Sequence, residues 1–290
     1  MPFGLTNAPS VFQRYVNEVL KEYIKGGVVA YINDILIYSK TEEQFVDLTK
    51  KVLRKLLDNS LCVNAKTCVF YAHEVEFVGY PIGQNGVKMV ENKVKYILEW
   101  EASRSVYKVQ QFLGFPNFYQ RFIKGYSSIC RPLTQLTNKG QVWNWTHVCQ
   151  EAFKKLKISF TEAPILIHYH PKKPLMIESD ASDLAKGAVL SQYENSDKKW
   201  HPVAFSSKKF SPAELNYDIY DKEMIVIVDC FKEWRHILCG SPNRVVVYTD
   251  HRNLEYFQTT KTLNQRQATG AEILGEFNFV ITYRPREKNG

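Results

Sequence analysis

Residues 28–39 read VVAYINDILIYS, two runs of β-branched and aromatic residues (28–32 and 35–38) around the polar pair Asn33 and Asp34. Such runs favour extended backbone, and Asn and Asp accept turn geometry. The stretch therefore predicts a β-hairpin with Asn33 and Asp34 at an exposed tip. By spacing alone the pair is ordinary tight-turn chemistry, and any further meaning has to come from its neighbours.

Upstream, Thr6 and Asn7 precede Ala8-Pro9, a helix start in which proline is tolerated in the first turn. Phe12, Val16, Val19, Leu20 and Tyr23 then recur at helical spacing until Gly26 and Gly27. Downstream, Phe45, Leu48, Val52 and Leu56 mark a second amphipathic helix ending near Asn59. Short strands are expected around 61–63, 69–71 and 75–80, with Asn85-Gly86 as a turn before 87–90. Helix, hairpin, helix and strands describe an α+β arrangement with helices packed on an antiparallel sheet.

The 290 residues, 44% hydrophobic, suffice for two cored domains. The net charge of +8 suits a polyanionic partner, and it is uneven. Residues 1–150 hold 18 Lys and Arg against 12 Asp and Glu, so a nucleic acid would draw most of its phosphate contacts from that half. Six cysteines without a Cys-x-x-Cys pair argue against a zinc site or a dense disulfide framework, and for free thiols in a reducing compartment. Neither a signal peptide nor a run of 18 apolar residues is present, so the expectation is an intracellular protein without a membrane partner, in a cytoplasmic particle or the nucleus.

From residue 91 to about 157 the chain reads as mostly helical, with Val94, Ile97 and Leu98 on one face, then Val109, Phe112, Leu113 and Phe122. The aromatics Phe115, Phe118, Tyr119 and Phe122 either stack bases or pack a helical core. Pro164, Pro171 and Pro174 break the pattern and mark a linker over 161–174. His168 and His170 alternate there, which suits surface histidines better than a shared metal. Beyond it, strands are expected at 175–179, 188–191, 203–206, 245–248 and 277–283, with a long helix over 216–238, giving a mixed sheet flanked by helices.

Three acids of this second half stand where a metal-dependent nuclease needs them: Asp180 and Asp250 just past two strands, and Glu223 one turn into the long helix. A pair of divalent ions needs several carboxylates to activate a water and stabilise a leaving phosphodiester oxygen, and magnesium suits hard oxygen ligands. Asp221 and Glu223 sit about 200° apart around a helix, so only one can face the site. By spacing alone the three acids also fit a solvated surface.

Three stretches of the first half, MPFGLTNAPSVFQ, VVAYINDILIYS and KTCVFYAHEVEFVGYPIGQNGVKM, resemble the end of the reverse transcriptase palm of gypsy-class long-terminal-repeat retrotransposons. VQQFLGFPNFYQRFIKGYSSICRPLTQL resembles that family's helical thumb and connection. LMIESDASDLAKGAVLSQ, FSSKKFSPAELNYDIYDKEMIVIVDCFKEWRHILCG and RVVVYTDHRNLEYF resemble its RNase H domain. The resemblance implies a partial palm over 1–90, a thumb and connection over 91–160, and a mixed α/β RNase H-like domain over 175–290, clipped at its end. It implies RNA-directed DNA polymerase and RNA–DNA hybrid ribonuclease as family activities, with Mg2+ or Mn2+ as cofactor. An RNA–DNA hybrid or primer-template is the implied partner, beside the rest of a Pol polyprotein. The RNase H catalytic and metal residues fall on Asp180, Glu223 and Asp250, and His251 belongs to the matched Thr-Asp-His segment with either a catalytic or a helix-start role.

The departures matter as much. The family turn reads Tyr-x-Asp-Asp, and Asn33 stands at the first Asp, beside Asp34. A neutral amide removes a charge from the metal-holding turn, so the polymerase is expected to be inactive. The palm strand carrying the family's other Asp, and the segment carrying the fourth RNase H carboxylate, are not in these residues, so impaired RNase H activity is expected. RQATGAEIL has Thr269 and Gly270 where the family has Arg-Trp, which predicts a lost aromatic anchor. Besides an enzyme, the residues are compatible with a non-catalytic nucleic-acid-binding module or a decayed gene product.

Overall fold

The computed structural model describes residues 4–24, 26–102, 105–182, 184–259 and 263–285. The chain divides into two compact units, Met1–Gln84 and Asn85–Gly290.

In the first unit, helix α1 (Ala8–Val19) and the hairpin strands β1 (Val28–Tyr31) and β2 (Asp34–Ile37) pack with helix α2 (Glu42–Asp58). Their shared core is Val16, Val19, Leu20, Val28, Val52 and Leu56. Thr41 caps α2, its side chain accepting from the Gln44 N–H at 3.3 Å. The hairpin turns one residue earlier than its composition suggests. Val28 pairs with Ile37 and Tyr31 with Asp34, so the tip is Ile32-Asn33 and Asp34 opens the second strand. Ile32 has φ 51°, a costly conformation for a β-branched residue. Gln13 of α1 holds it: its Oε1 accepts from Ile32 N–H at 2.6 Å, and its Nε2 donates to Ala30 O at 3.0 Å.

Residues 61–63 and 69–71, expected as strands, are irregular around a short 3-10 turn at Ala65–Thr67. Val63, Val69 and Tyr71 are exposed there, so their branched and aromatic side chains lack the packed face that makes such residues strand formers. The expected strand at 75–80 is instead a second hairpin of β3 (Glu74–Phe77) and β4 (Tyr80–Gly83), turning at Val78-Gly79 with both φ positive.

The second unit begins with helices α3 (Glu91–Glu99), α4 (Val106–Phe118), α5 (Tyr126–Gln135) and α6 (His147–Thr161). Of the four aromatics in question, Tyr119 and Phe122 are buried, Phe115 is half-buried with its ring 5.7 Å from those of Tyr96 and Tyr119, and Phe118 stays exposed. The proline-rich stretch 161–174 is bound to its own unit. Leu166 pairs with Val87, Ile167 N–H donates to Pro202 O, and Tyr169 Oη donates to Ile237 O. At Gly86 (φ 129°) a Cβ would sit 2.1 Å from Leu166 O, so that close approach requires glycine. His168 and His170 are exposed, without a strand between them.

The rest of the unit is a five-stranded sheet with helices on it. Strands β5 (Leu175–Ala181), β6 (Ala185–Glu194) and β7 (Lys199–Lys209) run antiparallel, then β8 (Val245–Thr249) and β9 (Phe279–Tyr283) add in parallel, in the order β9-β8-β5-β6-β7. Helix α7 (Ile219–Glu233) lays Val226, Ile227 and Phe231 against Ile177, Leu190 and Val247, and α8 (Gln265–Leu274) packs on α7. Gly270 lies at that crossing, where a Cβ would be 3.2 Å from a Val228 methyl and 3.4 Å from the Met224 methyl. Met224 and Val228 therefore occupy the space beside the glycine. No described helix is long and apolar enough to cross a membrane.

Candidate metal centre

Parallel pairing brings two aspartates together. Met176 pairs with Val246 and Glu178 with Tyr248, so two residues further along, Asp180 and Asp250 come abreast at one end of the sheet. Asp180 is the penultimate residue of β5, paired with Gly187, rather than lying beyond the strand as its sequence suggested. The strand continues through it because β6 still offers a partner there. Asp250 follows β8 directly.

The third carboxylate comes from α7. Asp218 is its N-cap, its Oδ1 accepting from Asp221 N–H at 2.8 Å, and this fixes the first turn and with it the direction of Glu223. Glu223 is 1% exposed, and its Oε1 accepts from the Ala181 N–H at 3.1 Å, tying the helix to the end of β5. One ligand oxygen from each of Asp180, Glu223 and Asp250 lies within 4.8 Å of the others, the one group of this kind among the described residues. Asp221 points elsewhere, held by Gln267 Nε2 at 2.8 Å and Arg266 Nη1 at 3.2 Å.

Electrostatics follow from that geometry. Burial, then the charge of Asp250, pushes the Glu223 carboxyl up to about 8. Its Oε2 is buried without a hydrogen-bond partner. An all-oxygen donor set with one orphaned, desolvated carboxylate oxygen fits a hard divalent cation, whose charge would offset the mutual repulsion.

His251 is not part of the group. Its N–H donates to Thr249 Oγ1 at 3.2 Å, its carbonyl accepts from Leu254 N–H, and its ring meets Tyr220 edge to face at 5.6 Å. Its backbone thus opens the short 3-10 stretch Arg252–Thr259, while its ring Nδ1 is buried without a hydrogen-bond partner. At the first hairpin, Asn33 and Asp34 are both exposed, and no group of three metal-ligating side chains among the described residues includes Asp34.

Sequence reasoning missed the Ala181 N–H and the Asp221 clamp. The first is a backbone group without a sequence signature. The second had one available signal, the capping-box pattern Asn264–Gln267 that starts α8.

A family model described as reverse transcriptase (RNA-dependent DNA polymerase) matches residues 1–82. Another, an RNase H-like domain found in reverse transcriptase, matches residues 145–247, which include Asp180 and Glu223. Over its whole length the chain is 38% identical to the Transposon Tf2-3 and Tf2-7 polyproteins of Schizosaccharomyces pombe, spanning 22% of each. The foamy viral protease-reverse transcriptase in complex with RNA/DNA hybrid is similar in fold, with a TM-score of 0.80 at 24% identity over 100% of this chain and 40% of that one. The same viral protein with dsDNA gives 0.78 at 22% identity, over 99% and 60%. The chain therefore carries a reverse transcriptase segment followed by an RNase H-like segment, and along its whole length it is similar to these transposon polyproteins.

Proposed function

We propose that the chemistry of this chain is hydrolysis of the RNA strand of an RNA–DNA hybrid at Asp180, Glu223 and Asp250, with Mg2+ or Mn2+ as the cation. The observation that carries it is the convergence of three carboxylates within 4.8 Å, one of them buried with an orphaned oxygen. A bound divalent cation supplies the activation of a water and the neutralisation of the leaving oxygen. The chain supplies the rest. Asp180 and Asp250 face the open end of the sheet, where a phosphodiester can approach, and Glu223 holds the rear of the site from within the core. Three carboxylates gathered among the described residues are few for a two-ion centre, and slow turnover is the expected outcome.

The palm turn has a different status. With Asn33 in place of the family's Asp, it lacks the charge needed beside a triphosphate, and we infer that it does not support synthesis. Absence of nucleotide incorporation on a primed RNA template is the expected result, and incorporation by the purified chain would overturn it. Hydrolysis is tested by incubating a labelled hybrid with the chain and Mg2+ or Mn2+, expecting slow cleavage that Asp250→Asn removes. The six free thiols suit an intracellular, reducing setting.

A second reading, binding without turnover, draws on the basic excess of residues 1–150. Hybrid affinity that falls steeply with salt while the RNA stays intact would favour it.

A further inference from the structure

Beside the acidic cluster lies a cation with no part in the chemistry above. Parallel pairing sets Tyr283 beside Thr249, and the Arg284 N–H donates to Thr249 O at 2.9 Å, so Arg284 leaves β9 abreast of Asp250. One position back on the same face, Glu178 of β5 lies opposite Tyr248 of β8. The Arg284 guanidinium lies over the Tyr248 ring, Cζ 4.3 Å from its centroid, and Nη2 forms an ion pair with the Glu178 carboxylate. Both side chains are largely buried, at 22% and 20% exposure. Arg284 thus reaches from the edge strand across β8 to β5, the two strands that carry Asp250 and Asp180.

We infer that Arg284 is a positioning residue for the cation site: laid on Tyr248 and anchored to Glu178, it straps β5 to β8 directly behind Asp180 and Asp250 and sets the spacing of their carboxylates. This rests on reading the acidic cluster as a cation site. The strap answers a specific weakness. The parallel pairing of β5 with β8 runs from Met176–Val246 to Glu178–Tyr248 and stops there, two residues short of the aspartates. Beyond that point the charged carboxylates repel one another across the two strands. The Ser179 hydroxyl, which donates to Tyr248 O at 3.2 Å, is a further tie at this level. Arginine suits the task because its planar group can stack on a ring and pair with a carboxylate together, which a lysine ammonium cannot.

The test exploits two effects of opposite sign. As a bare positive charge, Arg284 repels a divalent cation, so its removal would tighten binding; as a strap, its removal loosens the site. Mn2+ binding to the full chain is measured by calorimetry for wild type, Arg284→Gln, Arg284→Lys, Tyr248→Leu and Asp180→Asn, with a thermal melt of each. The expected result is affinity weakened roughly tenfold in Arg284→Gln, as for loss of other groups that orient metal ligands. Arg284→Lys, which keeps the charge, is weakened as well. Tyr248→Leu, which keeps the ion pair, shifts in the same direction by less and serves if Arg284→Gln does not fold. Unchanged or tighter binding in a folded Arg284→Gln overturns the strap while leaving the cation site standing. Wild type without a Mn2+ site that Asp180→Asn removes would overturn the cation reading, and the strap's role with it.

Discussion

Two regions of this molecule present an acid at the end of a β-branched strand, and they do different things with it. At the first hairpin the strands are antiparallel and close on a two-residue turn, so Asp34 faces solvent beside Asn33. In the second unit β5 and β8 are parallel, which brings two strand ends to one place, and α7 adds a buried glutamate behind them. A carboxylate becomes a site when topology gathers others around it and burial makes their charges costly. An acid at a turn, without that convergence, stays solvated.

The contrast can be broken most directly at Asp250. Asp250→Asn removes one charge from the gathered set, and hybrid cleavage should fall by about 10²- to 10³-fold, the scale for losing one preorganised electrostatic partner. Asn33→Asp adds a charge at the solvated turn and should leave that cleavage unchanged.

Next is the cost of burial itself. The Glu223 carboxyl is pushed up from 4.5 to about 8, so between those values the cation-free native state keeps a proton that the unfolded chain has released. Stability without divalent cation therefore falls as pH rises from about 4.5 to about 8 and levels above it. Glu223→Gln keeps an acceptor for the Ala181 N–H and abolishes this slope. In urea denaturation with chelator at pH 8 it should be more stable than wild type, by on the order of a few kcal/mol, with little difference at pH 4.5.

Two smaller effects sharpen the packing side of the comparison. Gly270→Trp, which introduces the residue type of the family pattern, should cost about 1–3 kcal/mol, because Met224 and Val228 already fill that space. Ile32→Gly should gain about 1 kcal/mol or less at the hairpin tip by relieving the positive φ, read as a higher melting temperature.

Residues 175–283 were the most legible part of the chain. Its strands and long helix show in the apolar runs, whereas Asp180, Glu223 and Asp250 are joined only by the resemblance of the surrounding motifs, because by spacing alone they also fit a solvated surface. The hairpin was found but turned a residue early, because the choice between Ile32-Asn33 and Asn33-Asp34 was made by Gln13, a residue in another element whose amide holds the strained turn. The expected strands at 61–63 and 69–71 failed for want of a face to pack on, which local propensity cannot report. At Gly270 the sequence shows only an absent aromatic, and the helix crossing shows that Met224 and Val228 lie against the position. Arg284 carries no local sequence signal, since its partners Glu178 and Tyr248 lie far away in sequence and meet it only through parallel strand order.

The most direct measurement is cleavage of a 5′-labelled RNA strand annealed to DNA, followed with Mg2+ and with Mn2+ for wild type, Asp250→Asn and Asn33→Asp side by side. Slow, cation-dependent cleavage that is lost in Asp250→Asn and unaltered in Asn33→Asp places the chemistry on the gathered carboxylates. Cleavage that survives Asp250→Asn, or intact RNA with wild type at saturating Mn2+, would contradict it.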